Sequence, residues 1–207
     1  MSDDAPAFVI RRLRDLVPRR PLNSREAHRI VELQANRFRE LLGVDTPELP
    51  DSAIVNLPRV RVAYERRLPV SGATAWHNGR WLILINSLED FSRQRFSMAH
   101  ELFHVINYPT LGFLLPGEGQ FSVRTERLAD YFGGCLLAPK RFMMRLVGEG
   151  EDENGIANTF GMSRRAVQVR LQQLHLAEAL PTCGLPTGWR LTAVRPAPTE
   201  TTDASHA

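Results

Sequence analysis

The run Ser97-Met98-Ala99-His100-Glu101-Leu102-Phe103-His104-Val105-Ile106 constrains this chain more than any other stretch. Two histidines four residues apart sit one above the other on a helix face. His100 and His104 can therefore reach one metal ion, and Zn²⁺ is the usual occupant of such a pair. Glu101 lies beside that face, where a carboxylate can act as general base on a water acidified by the metal. The competing account is a chance match on an ordinary helix. The setting argues against it. Phe96, Met98, Ala99, Leu102, Phe103, Val105 and Ile106 give the helix an apolar body, and Pro109 ends it. Buried His and Glu are costly there unless they are ligated or paired.

The chain has 207 residues, enough for one real core and a small appendage. No apolar run approaches the roughly 20 residues that cross a bilayer, and Met1-Ser2-Asp3-Asp4 does not begin a signal peptide. Cys135 and Cys183 have neither metal nor redox spacing and suit a reducing compartment. The expected location is the cytoplasm, with no membrane partner. A net charge of +3 is too small to argue for nucleic acid by itself.

Residues 1–22 form a short basic amphipathic piece, expected to be a loosely docked arm. Ser24 reads as the cap of a helix over Arg25–Leu42 that stops at Gly43. Three strand-like runs follow, the first centred on Val60, Val62 and Tyr64. The other two, Ala73–His77 and Arg80–Asn86, flank Asn78-Gly79, a strong two-residue hairpin signal. Trp81 to Ile85 suggests a strand covered on both faces, and Ser87 or Asp90 can cap the helix that carries His100. The expected class is α+β: a small antiparallel sheet packed on a zincin-type active-site helix, with a C-terminal helix-turn-helix-like helix pair.

A catalytic zinc usually takes three protein ligands and keeps one position open. One common continuation of the first motif places a glycine and then a third histidine downstream. Asn107 and Thr110 occupy those places and exclude it. A second helix, Thr125 to Ala138, offers Glu126, Asp130 and Gly133 on one face. Glu126 can be the third ligand, and Asp130, one turn on, can accept the free N–H of a ligating histidine. Gly133-Gly134 would let the two helices approach closely. The alternative is a solvated acidic face, with Glu118 as a rival ligand in a glycine-flanked loop. Tyr108, Tyr131, Arg124 and Tyr64 are possible donors to an oxyanion, and nothing in the sequence chooses among them.

The segments Arg93-Gln94-Arg95-Phe96-Ser97-Met98-Ala99-His100-Glu101-Leu102-Phe103-His104, Glu126-Arg127-Leu128-Ala129-Asp130-Tyr131-Phe132 and Leu136-Leu137-Ala138-Pro139 resemble, in this order, the ImmA/IrrE family of metallopeptidases. The resemblance covers about residues 24–175. It implies a zinc site with His100, His104 and Glu126 as ligands and Glu101 as base. It also implies a substrate: a transcriptional repressor with its own helix-turn-helix. The chain departs from the family pattern with Phe103 for glycine, Asp130 for asparagine, Gly133 for alanine and Ala138 for methionine. None of these removes a ligand. Phe103 adds bulk beside the metal helix.

Beyond a glycine-bearing acidic hinge, Ile156 to Leu174 reads as a short helix, a turn at Gly161, a cap at Ser163 and a second helix. Arg164, Arg165, Gln168 and Arg170 are candidate contacts to nucleic acid or to a partner. The expected organisation is a basic arm (1–22), a zinc metallopeptidase domain (23–148), a helix-turn-helix-like subdomain (149–178) and a disordered tail (179–207). The expected function is a zinc-dependent endopeptidase acting on a specific intracellular regulator. Its rival is a DNA-binding transcriptional regulator that keeps a metal-bound fold without the chemistry.

Overall fold

The computed structural model describes residues 8–178 and 190–191. Helix α1 (Val9–Arg14) is followed by α2 (Ser24–Leu41). Asn23, one residue earlier than expected, caps α2: its side chain accepts from the Glu26 amide, and Glu26 reaches back to the Asn23 amide. A short turn of helix, α3 (Ser52–Val55), leads into the strands β1 (Val60–Glu65), β2 (Gly72–His77) and β3 (Arg80–Asn86). Asn78 and Gly79 take φ of 48° and 76°, the paired positive values of the tight hairpin turn that their sequence signals.

The sheet runs β1-β3-β2. β2 and β3 are antiparallel, as a hairpin must be, but β1 lies parallel to β3, so the sheet is mixed rather than wholly antiparallel. The physical reason lies in the connections. The tight turn commits one edge of β3 to β2, which leaves β1 the opposite edge, and the short connection over residues 66–71 keeps the end of β1 near the start of β2, so β1 runs opposite to β2 and therefore parallel to β3. Trp81, Ile83 and Ile85 turn to the core, while Leu82 and Leu84 on the other face are only half-buried. One face of β3 is therefore covered, not both.

The core-facing side of the sheet lies on α4 (Phe91–Asn107), which carries the histidine motif. Asp90 is its N-cap residue. After α5 (Leu111–Leu114), α6 (Val123–Leu137) begins at a Ser122 cap and crosses α4 on the side away from the sheet. α7 (Lys140–Gly148) opens at Pro139. α8 (Glu153–Phe160) ends at Gly161, whose φ of 61° makes the turn into α9 (Arg164–Gln173), capped by Ser163. Of the expected tail from 179, only Arg190–Leu191 is described, paired with Ala177–Glu178; the rest lies outside the described residues.

Two segments are bound more tightly than their sequences suggest. In the basic arm, Val9, Leu13, Val17 and Leu22 are buried core residues. Arg14 donates from Nε to the Ile106 carbonyl and from Nη2 to the Val105 carbonyl, both at 2.8 Å. These are carbonyls of the last turn of α4, which the helix itself cannot satisfy. Beside them Gln34 and Asn107, both buried, exchange amide hydrogen bonds, and Gln34 also donates to the Leu13 carbonyl at 2.9 Å. In the C-terminal helix pair, Ile156, Phe160, Val167 and Leu171 belong to the same buried cluster as the motif helix. Amphipathic basic segments hide such docking, because one apolar stripe fits a solvated arm and a packed helix equally well.

Arg14→Ala should cost about 1.5–3 kcal/mol of unfolding free energy, the range for hydrogen bonds from a charged donor. Urea denaturation followed by circular dichroism measures it. A loss below about 0.5 kcal/mol, the range of an ordinary surface substitution, would show the arm to be peripheral.

Candidate metal centre

α4 and α6 bring His100, His104 and Glu126 together. One potential ligand atom from each lies within 4.8 Å of the others. His100 Nε2 is 3.1 Å from Glu126 Oε2 and 3.3 Å from His104 Nε2, and His104 Nε2 is 3.5 Å from Glu126 Oε1. The i, i+4 spacing stacks the two rings, with centroids 5.1 Å apart. Glu126 sits in the first turn of α6, where the helix dipole favours an anion.

The donor set fits a divalent cation. Asp130 Oδ1 lies 2.9 Å from His100 Nδ1, which fixes the proton of a neutral ring on Nδ1 and leaves Nε2 as a lone pair. Three acceptor atoms then face one another. Glu126 Oε1 is buried and accepts no hydrogen bond, an orphan that a cation would satisfy. The titration behaviour without an ion makes the same point. Burial opposes protonation of His100, but the hydrogen bond to Asp130 and the charges of Glu101, Asp130 and Glu126 outweigh it and raise its pKa. Burial, reinforced by the charge on His100, pushes His104 down to about 4.

Glu101, next in sequence to His100, turns toward the sheet within the same cleft. Thr74 Oγ1 donates to its Oε2 at 2.6 Å. Burial raises its pKa above the usual carboxylate range, against the Thr74 hydrogen bond and the His100 charge. Gly72 makes the room. A Cβ there would fall 2.9 Å from both Cγ and Oε1 of Glu101. Neither Gly72 nor Thr74 is conspicuous in the sequence. The strand pattern placed them near the motif helix, but only the register sets them opposite Glu101.

The cleft around these groups has a volume of about 530 Å³. Val70, Ser71, Gly72, Ala73 and Thr74 line it consecutively. Alternating side chains point to opposite faces, so an unbroken run means that β2 presents its edge. Among the described residues that edge pairs with no strand, because β3 pairs on the other side. Arg93 and Phe121 complete the wall; Arg93 donates to Ser71 Oγ at 3.1 Å, and Phe121 is largely exposed with its ring 6.3 Å from that of His104.

Other sequence candidates lie elsewhere. Tyr108 stacks edge-on against Trp81, Tyr131 donates to Glu32 Oε2 at 3.2 Å, and Tyr64 stands on β1 at the opposite edge of the sheet. Arg124 pairs with Glu118 at 3.1 Å, which commits both the proposed oxyanion donor and the rival ligand to each other. None of these five lines the cleft. Side-chain identity named them, and packing directs them away. Phe103, the bulky departure from the family pattern, is buried against Phe132 of α6 with ring centroids 5.9 Å apart. A Cβ on Gly133 would meet Phe96 only at van der Waals distance, so glycine is not required there for close approach; Gly134 faces Arg170 of α9 instead of the motif helix.

The nominated contacts of the helix pair are largely engaged inside the protein. Arg164 Nη2 and Gln168 Nε2 both donate to the buried Glu153, at 3.0 and 2.9 Å. Arg170 is buried and donates from Nε to the Ala138 carbonyl at 3.1 Å, just past the end of α6. Arg165 alone of the four is exposed with no ion pair among the described residues.

Metal-stripped protein titrated with Zn²⁺ or Co²⁺ should bind one equivalent. His100→Ala, His104→Ala and Glu126→Ala should each abolish tight binding, while Asp130→Ala should weaken it about 10–100-fold. Co²⁺ absorption reads both. Full affinity in Glu126→Ala would reject the two-helix ligand set.

Comparison with known proteins places the chain in a family and a fold. Residues 59–172, more than half of the chain, match the IrrE N-terminal-like domain of the peptidase M78 family. Among solved structures, a Mycobacterium tuberculosis transcriptional regulator superposes with a TM-score of 0.56 at 19% sequence identity, over 79% of this chain and 51% of that one. The likeness is one of fold, and the chain spans about half the length of that protein. No curated protein matches the sequence significantly. On the match over residues 59–172, which takes in the motif helix, the second helix and the sheet, the chain belongs to the ImmA/IrrE family.

Proposed function

We propose that the protein is a zinc-dependent endopeptidase. The carrying observation is the joint placement of three elements in one cleft: the His100–His104–Glu126 cluster, the Thr74-oriented Glu101, and the free edge of β2. A peptide added to that edge in extended form would hydrogen-bond through its backbone and lie across the cluster. Zinc held by His100, His104 and Glu126 would supply Lewis acidity for a scissile carbonyl and lower the pKa of water.

The chain's own residues do the rest. Glu101 takes a proton from the attacking water and returns it to the leaving amine. Thr74 holds one carboxylate oxygen and leaves the other for the proton. Gly72 keeps the strand edge close to the base. Asp130 keeps His100 in the tautomer that presents Nε2. The substrate class we assign is an intracellular regulator such as a helix-turn-helix repressor, on the strength of family membership. A second reading, a transcriptional regulator that retains the fold without hydrolysis, draws on the likeness in fold to the Mycobacterium tuberculosis transcriptional regulator.

Glu101→Gln separates the two. It should keep one zinc per chain and lose at least about 100-fold in cleavage rate, and the partner it traps should be cut by the wild-type protein. Gly72→Ala should keep zinc and lose part of the rate, because the new methyl displaces Glu101. Casein should be a poor substrate. Normal cleavage by Glu101→Gln would remove the proposed base, and full regulatory output from it would favour the second reading.

A further inference from the structure

The metal cleft does not end at Asp130. A second groove of about 220 Å³ opens beside it and shares Arg93, Phe96 and Asp130 with it. Its other wall is one face of α9 and its cap, through Ser163, Arg165, Ala166, Val169, Arg170 and Gln173. In a DNA-binding helix pair, the N-terminal end of the second helix carries the residues that reach base edges. Here Ser163, Arg165 and Ala166 at that end, with Val169 further along, face a groove that adjoins the candidate metal centre.

The groove has a definite chemical character. Phe96, Ala166 and Val169 give it an apolar lining. Three arginines border it, Arg93, Arg165 and Arg170, against one carboxylate, Asp130. Asp130 is already committed to His100, and Arg170 is buried and bonded to the Ala138 carbonyl. Arg93 is held by Ser71, with Glu89 3.8 Å away. Arg165 is exposed and meets no carboxylate among the described residues. The surplus positive charge therefore sits at the mouth of an apolar slot, on a residue free to pair.

We infer that the Arg165–Ala166–Val169 face of α9 forms a specificity subsite of the metal cleft for an acidic substrate side chain. The methylenes of a glutamate would lie on Phe96, Ala166 and Val169, and its carboxylate would pair with Arg165. Arg165 acts on recognition, not on the chemistry. The inference rests on the peptidase reading above for its place in catalysis, but the peptide preference can be read by binding alone.

The test uses the full-length, zinc-loaded protein. A positional-scanning fluorogenic peptide library gives the cleavage profile, and an immobilised peptide array probed with the Glu101→Gln protein gives the binding profile. Both should favour Glu or Asp over Lys at one position. Arg165→Glu should invert that preference, changing the acid-to-lysine ratio at least about fivefold, as expected for an exposed ion pair gained and a repulsion added. Zinc content should not change. Arg165→Lys should largely restore the acidic preference. Identical profiles for wild type and Arg165→Glu would overturn the subsite, as would failure of the array to bind either protein. So would loss of duplex DNA retention in Arg165→Glu with the peptide preference intact, which would make this face a nucleic-acid surface. Absence of cleavage by wild type, with an Arg165-dependent acidic preference retained on the array, would remove the peptidase reading and leave the peptide subsite standing.

Discussion

Lone pairs crowded into a half-buried site repel one another unless something positive lies between them. His100 Nε2, His104 Nε2 and Glu126 are held in that condition by the crossing of α4 and α6. The cost is tolerable only because both helices are fixed from outside the site. Arg14 closes the last turn of α4, and Arg95 ties its first half to Glu48, Asp51 and the Leu49 carbonyl. At the end of α6, Arg39 donates to the Leu136 carbonyl at 3.0 Å and Arg170 to the Ala138 carbonyl. Three of these four guanidiniums are buried. A planar, always-charged fork suits carbonyls left over at helix ends, which lysine meets less well.

Those arginines also mark the limit of what the sequence discloses. Arg170 lies on an apparent recognition helix, and its charge suggests an outward role. Nothing local distinguishes an arginine that reaches solvent from one that turns inward to close a neighbouring helix. The same holds for the basic arm, whose Arg14 serves α4 from about ninety residues away. Such long-range pairs have no periodicity to read.

What was legible rests on short-range rules. The i, i+4 histidines, the Glu126–Asp130 turn, the Asn78-Gly79 hairpin and the Ser163 cap are each fixed by residues a few positions apart, and the structure places each element where those rules put it. The sheet is mixed and not antiparallel throughout, and the sequence does not disclose this, because the pattern of β1 says that it is a strand and nothing about its partner or direction. The oxyanion candidates were drawn by residue type, and the packing sends Tyr108, Tyr131, Tyr64 and Arg124 elsewhere. Gly72 and Thr74 went unnoticed because their importance exists only across the interface between strand and helix.

The hairpin turn has a bearing on the cleft that its exposed position conceals. β2 is indexed against β3 by two residues, Asn78 and Gly79, with no slack between the strands. Slipping that register by one residue would send every β2 side chain to the opposite face. Ala73 would then carry its methyl toward Glu101, and the Thr74 hydroxyl would leave it for the outer face of the sheet. The alignment of the base with the strand edge is thus set at a distance, by a dipeptide that touches neither. Loop length at this turn behaves as a gear tooth for the site, and an inserted residue there would be felt first at Glu101.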